Sequence, residues 1–145
     1  RVARIFNTYG PRMLPNDGRV ISNFIVNALK GEPLEIYGNG SQTRSFCYVD
    51  DLINGLIKLM RSKINLPINL GNPSEFTINE LACKVRDIIN PNLTFIYKPL
   101  PEGDPNKRKP SIEKANKEIY WDPYIPLEKG LKLTINYFQK NYAYE

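Results

Sequence analysis

Gly38-Asn39-Gly40-Ser41-Gln42-Thr43-Arg44-Ser45-Phe46-Cys47-Tyr48-Val49-Asp50-Asp51-Leu52 sets a glycine turn, an amide and a guanidinium directly ahead of an apolar segment and a helix start. Glycine lets the backbone turn sharply and approach a ligand closely. Gln42 offers amide hydrogen bonds, and Arg44 offers a planar fork suited to phosphate oxygens. A turn made only for folding would need neither side chain.

Around this stretch, strands and helices alternate, which predicts an α/β chain. Val2 to Phe6 reads as a buried strand delivering a loop at Asn7 and the Gly10-Pro11 turn. Ile21, Phe24, Ile25, Ala28 and Leu29 recur at helical spacing until Gly31 and Pro33, with Arg19 at the first turn. Leu34 to Tyr37 alternates like a short strand. Asp50 or Asp51 is suited to cap a helix carrying Leu52, Ile53, Leu56, Ile57, Leu59 and Met60, which its apolar content predicts to be well buried. Pro67 to Gly71 reads as another strand, and Thr77 with Glu80 forms a capping box for a helix bearing Ile78, Leu81, Ala82, Val85 and Ile88. Leu93 to Tyr97 is a further strand. A long polar connection runs from Pro99 to Pro110, a length commonly tied to function or mobility. Ser111 is expected to cap a short helix, and Pro126 to start a last one with Leu127, Leu131, Ile135 and Phe138 on one face.

The 145 residues suit one ordinary domain, with 41% hydrophobic content including nine tyrosines and six phenylalanines for a packed core. No apolar run approaches the roughly 20 residues that span a bilayer, so a soluble protein is expected. The net charge of +5 is scattered, its densest cluster being Lys107-Arg108-Lys109, and fits a small anionic ligand as well as nucleic acid. Cys47 and Cys83 give neither metal-ligand spacing nor a disulfide framework, and the chain has no histidine. Zinc sites and histidine acid/base chemistry are therefore excluded within it. The cysteine usage favours a reducing compartment. Arg1 to Phe6 reads as a strand with no turn or cap before it, so the chain is expected to begin mid-fold in a longer protein.

Three arginines stand at the ends of expected elements: Arg19, Arg44 and Arg108. Together they could hold a diphosphate and a carboxylate. Singly, Arg19 also reads as a solvated helix-end charge and Arg108 as part of a solvated basic run. Asn7 can simply turn the chain, Thr8 and Tyr9 can simply pack, and Tyr37 suits core or strand surface. Cys47 reads as a small buried hydrophobe, since no base accompanies it. There is no Gly-x-x-Gly-x-x-Gly fingerprint after a strand and no Tyr-x-x-x-Lys pair, so this stretch of chain is not expected to grip a dinucleotide or run hydride chemistry alone.

Arg4-Ile5-Phe6-Asn7-Thr8-Tyr9-Gly10-Pro11-Arg12-Met13, Asn16-Asp17-Gly18-Arg19-Val20, Gly40 to Leu52, Asn69-Leu70-Gly71-Asn72-Pro73 and Lys107-Arg108-Lys109-Pro110 occur in that order. Over essentially the whole chain they resemble the C-terminal portion of UDP-glucuronate decarboxylases (UDP-xylose synthases), which are extended short-chain dehydrogenases/reductases. Ser111 stands where many members have Asp, and Tyr120 where Gly is frequent.

The resemblance implies the last elements of a Rossmann-type domain plus a small α/β substrate-binding subdomain. Residues 1–9 and about 45–71 would contribute to the Rossmann part, and an N-terminal NAD-binding domain with the glycine fingerprint and Tyr/Lys pair would precede residue 1. In that family NAD oxidises the C4 hydroxyl of UDP-glucuronate, the β-keto acid loses carbon dioxide, and the NADH formed reduces the ketone to give UDP-xylose. By motif, Asn7 would contact substrate, Thr8 would lie near the nicotinamide, and Arg19 would reach into the site toward substrate and cofactor. Glu35, Tyr37, Gln42 and Arg44 would hold the nucleotide and diphosphate. Arg108 would be the active-site arginine, better suited as an electrostatic partner than as a proton donor. The implied whole enzyme is a homodimer with a UDP-sugar substrate and no nucleic-acid partner, cytoplasmic unless its N-terminus carries an anchor placing it in the Golgi lumen. Two alternatives stay open: another sugar-nucleotide dehydratase or epimerase, and a non-catalytic module binding nucleotide sugar or nucleic acid.

Overall fold

The computed structural model describes residues 1–100 and 107–142. In chain order the elements are β1 (Ala3–Ile5), β2 (Thr8–Tyr9), α1 (Val20–Leu29), β3 (Leu34–Tyr37), β4 (Thr43–Ser45), β5 (Cys47–Tyr48), α2 (Val49–Arg61), β6 (Ile68–Leu70), β7 (Glu75–Thr77), α3 (Ile78–Ile89), β8 (Phe95–Lys98), β9 (Lys107–Arg108), α4 (Glu113–Ile119) and α5 (Leu127–Asn141). The α/β class expected from the sequence is the class observed. Residues 101–106 of the long polar connection lie outside the described residues.

Among the described residues three two-stranded sheets are parallel: β1 with β6, β2 with β5, and β3 with β8. Parallel neighbours require long crossovers, and these bring the helices onto the sheet faces. A fourth sheet has the order β7-β4-β9, with β4 central, antiparallel to β7 and parallel to β9. These strands of two or three residues are set by tertiary pairing, which explains why periodicity alone marks neither β4 nor β7.

Two apolar cores fill the spaces between layers. One gathers Phe24 and Ile25 of α1, Leu34 and Ile36 of β3, Leu81 and Val85 of α3, and Leu131 and Phe138 of α5. Each such fully buried side chain contributes roughly 1.5–3 kcal/mol. The other core packs Leu52 and Leu59 of α2 and Ile68 and Leu70 of β6 around Trp121, with Ala115 and Ile119 of α4. The Trp121 indole N–H donates to the Asp51 carbonyl at 2.9 Å, and a Cβ on Gly55 would stand 2.9 Å from the indole ring. The absence of a side chain at Gly55 thus lets helix and tryptophan meet.

The Thr77–Glu80 capping box is present in full at α3. Two other capping expectations are corrected. Tyr48, not an aspartate, is the N-cap of α2, because Asp51 is drawn inward to accept the Ile125 N–H. Ile112 rather than Ser111 is the N-cap of α4, with no side-chain capping bond. The expectation that α2 is well buried holds for one face only: Ile53, Ile57 and Met60 are exposed. Spaced at i, i+4 and i+7, they form one stripe.

Candidate functional site

The loop after β1, the start of α1 and the β3–β4 turn surround a cavity of about 600 Å³. Seven residues singled out in the sequence line it: Asn7, Thr8, Arg19, Glu35, Tyr37, Gln42 and Arg44. The eighth, Arg108, is placed by its backbone, which lies in register with Arg44 in the β4–β9 pair. Its guanidinium lies outside the described atoms.

Strand pairing fixes the floor. The Cys47 N–H donates to the Asn7 carbonyl at 2.8 Å, and Thr8 is registered with Cys47. The Thr8 hydroxyl donates to the Phe6 carbonyl at 2.8 Å. Cys47 beneath it is a buried hydrophobe, as expected, and burial pushes its thiol up to about 12, with Asp51 adding a smaller push. At physiological pH it is no nucleophile. Tyr9 also borders the cavity but is buried in the core, where its hydroxyl donates to the Leu127 carbonyl at 3.2 Å.

Arg19 is the N-cap of α1, with extended backbone, no side-chain capping bond and no acidic residue in the first turn. The first N–H groups of any helix lack intrahelical partners, and here the first two helical residues, Val20 and Ile21, line the cavity. Arg19 Nη1 donates to the Thr8 carbonyl at 3.2 Å, and Nε stands 3.5 Å from Asp17 Oδ2. Asp17 also accepts the Arg19 N–H at 3.0 Å and the Ser22 hydroxyl. This small network holds the arginine at the mouth.

Tyr37 and Gln42, which flank the glycine turn, also line the cavity. Gly38 and Gly40 have φ of +68° and +72°, the left-handed region that favours glycine. The Gln42 amide donates across the turn to the Tyr37 carbonyl at 2.8 Å. Asn79 at the start of α3 clamps it: its N–H donates to the Gly40 carbonyl at 3.1 Å and its Nδ2 to the Asn39 carbonyl at 2.9 Å. Arg44 is only 8% exposed, on the central strand β4, with Nη1 donating to the Thr43 carbonyl at 2.8 Å. Glu35 is held by Lys98, whose Nζ is 2.6 Å from Oε1. The cavity is therefore lined by two arginines, a helix start, and a carboxylate whose charge is already paired.

Val20, Ile21, Phe46 and Ile78 also line the cavity without having been singled out. Their helical and strand periodicity marks them as core, and periodicity does not show where a core opens. Among the described residues no group of three or more His, Cys, Asp or Glu is placed to hold a metal. No helix among them is long and apolar enough to cross a membrane.

Parallel strand pairs crossed by helices thus end in a small α/β unit around a cationic cavity. Residues 1–71 match the model of the NAD dependent epimerase/dehydratase family. Over all 145 residues the chain is 51% identical to UDP-glucuronic acid decarboxylase 1 of Danio rerio, of which it spans 35%. Two solved structures share the fold. UDP-glucose 4-epimerase of Thermotoga maritima, with UDP-glucose, superposes with a TM-score of 0.92 at 35% identity, over 96% of this chain and 45% of that one. UDP-glucuronic acid 4-epimerase of Bacillus cereus, with UDP-glucuronic acid and NAD, gives 0.89 at 29% identity, over 97% and 45%. The chain thus resembles UDP-glucuronate decarboxylases along its whole length, and spans about a third of the length of such relatives.

Proposed function

We propose that this chain is the sugar-nucleotide-binding C-terminal part of a NAD-dependent UDP-glucuronate decarboxylase, which converts UDP-glucuronate to UDP-xylose and carbon dioxide. The observation that carries the reading is the convergence of seven motif residues, from four stretches of chain, on one cavity. In it Arg44 and the N–H groups opening α1 receive the diphosphate, by charge-assisted bonds and by the positive end of the helix. Asn7 contacts the sugar. Arg108, whose backbone neighbours that of Arg44, supplies fixed positive charge at the carboxylate end, where a guanidinium stabilises negative charge without giving up a proton.

The described residues hold no glycine-rich cradle for a dinucleotide, but they suit its flank. Thr8 and Arg19 sit at the mouth beside the loop that leaves β1. These two residues would hold the nicotinamide side of NAD, which when bound supplies hydride exchange at the sugar C4. The rest of the cofactor grip belongs to a preceding Rossmann domain, to which residues 1–9 and about 45–71 contribute strands and α2. Parallel sheets are almost always covered on both faces, yet among the described residues β1 and β6 form a pair on their own, and Val2 and Ile5 are 50% and 57% exposed. The exposed stripe on α2 supports the same reading. The whole protein is proposed to work as a homodimer in the cytoplasm, or in the Golgi lumen if anchored, and light scattering and localisation of the full-length protein test these points.

Incubating the full-length protein with UDP-glucuronate and NAD is expected to release carbon dioxide and UDP-xylose. Conversion of dTDP-glucose instead would overturn the assignment. The likeness to a UDP-glucuronic acid 4-epimerase favours one second reading, in which the product keeps its carboxylate and is the 4-epimer. Product analysis in the same assay separates the two.

A further inference from the structure

Glu35 is anomalous in this cavity, because a carboxylate lining it together with Arg19 and Arg44 would weaken the attraction for an anionic ligand. Its pairing answers that. β3 and β8 run parallel with Tyr37 registered to Lys98 and Glu35 to Ile96. Residues two apart on a strand share a face, so Glu35, Tyr37 and Lys98 stand together on the side opposite the buried Leu34 and Ile36. The Lys98 ammonium reaches back to Glu35 Oε1 at 2.6 Å, both side chains being about two-fifths exposed. Pairs this exposed add little to stability. Orientation and charge cancellation are what remain for this one to do. Oε2 has no partner among the described residues, and an ionised carboxylate only accepts hydrogen bonds.

We infer that Lys98 is a positioning residue: it holds the Glu35 carboxylate so that its second oxygen accepts an O–H or N–H from the nucleoside end of the ligand, and cancels its charge so that the arginines keep their attraction for the diphosphate. This rests on the nucleotide-sugar reading above and adds to it a division of the cavity. The β3–β8 end takes an uncharged, donor-bearing group, and the Arg44 and α1 end takes the anion. Two donors have this chemistry, the ribose hydroxyls and the N–H of a pyrimidine-dione base.

The test uses the full-length protein with Lys98→Met, Lys98→Arg, Glu35→Ala and the Lys98→Met/Glu35→Ala double variant. Lys98→Met is expected to raise KM for UDP-glucuronate about tenfold, the size of one lost charge-assisted contact, with kcat within about twofold. Lys98→Arg is expected to restore most of the loss. In the Glu35→Ala background Lys98→Met is expected to add nothing, as residues acting through one contact are not additive. Calorimetry with UDP, 2′-deoxy-UDP and 3-methyl-UDP then locates the donor: whichever analogue no longer responds to Glu35→Ala lacks the group that Glu35 reads. An unchanged KM in Lys98→Met, or an equal loss with and without Glu35, overturns the brace alone. Equal dependence on Glu35 for all three ligands overturns the donor assignment. Failure of the parent protein to bind UDP at all overturns the functional reading, and this one with it.

Discussion

The Asp51 carboxylate accepts the backbone N–H of Ile125 at 2.9 Å, joining the first turn of α2 to the segment that enters α5. Asp51 is fully buried, and its other oxygen has no partner among the described residues. Removing the side chain strands a buried N–H without giving it water. Asp51→Ala is therefore expected to lower stability by about 1–3 kcal/mol, and Asp51→Asn, which keeps an acceptor, by less. Urea denaturation measures both, and equal losses would show that the bond to Ile125 is not what matters.

Arg44→Ala in the full-length protein is expected to weaken UDP binding by about tenfold or more, because the diphosphate loses a charge-assisted fork. Arg44→Lys should recover part of this, a point charge replacing a planar one. Calorimetry reads the affinity and thermal melting confirms the fold. Unchanged affinity with Ala would remove Arg44 from the site.

Arg108→Ala is expected to cut kcat more than it raises KM, if its charge acts at the reacting carboxylate rather than in uniform binding. Steady-state kinetics decide this, and a raised KM with normal kcat would move Arg108 to a binding role.

Gly40→Ala and Gly31→Ala form a matched pair. Both glycines have positive φ, +72° and +74°, but a Cβ at Gly40 would fall 2.2 Å from Asn79 Oδ1 while one at Gly31, which does not line the cavity, meets nothing within 4 Å. Both variants are expected to lose about 1 kcal/mol from backbone strain. Only Gly40→Ala should also push Asn79 off the turn and weaken UDP binding. Denaturation midpoints and calorimetry on the two variants isolate that difference.

The α3 cap gives a pH dependence of defined sign. Hydrogen bonds from the Thr77 N–H at 2.7 Å, and then from its hydroxyl, hold the Glu80 carboxyl below the usual glutamate range. A depressed folded value contributes stability that is present above the unfolded value of about 4.3 and is lost as pH falls through the folded one. Denaturation midpoints between pH 5 and pH 3 should fall less steeply in Glu80→Gln than in the parent. Identical slopes would mean that the cap does not couple to pH.

Local chemistry made much of this legible in the sequence. Gly38, Gly40 and the Thr77–Glu80 pair declare their conformations within a few residues, and the motif residues of the cavity could be named before their positions were known. Distant partners hid the rest. Asp51 reads as a helix cap until Ile125, 74 residues away, takes its carboxylate. Ile53, Ile57 and Met60 read as buried because periodicity identifies an apolar face without showing whether anything covers it. Val20 and Ile21 read as core because nothing local marks where the first turn of α1 opens onto the cavity. The short strands β4 and β7 exist only through their pairing with each other and, for β4, with β9.

The contact between Tyr9 and α5 bears on how the chain folds. The Tyr9 hydroxyl reaches the Leu127 carbonyl across 118 positions of sequence, and a Cβ on Gly130 would sit 2.1 Å from that oxygen. The strand that floors the cavity is thus sealed by α5. A chain stopped short of residue 127 leaves the hydroxyl and the aromatic cluster around it open, so the cavity wall is completed only once α5 has been made. Closures between such remote segments are slow relative to local ones, which makes the first and last thirds of this sequence a single kinetic unit despite their separation.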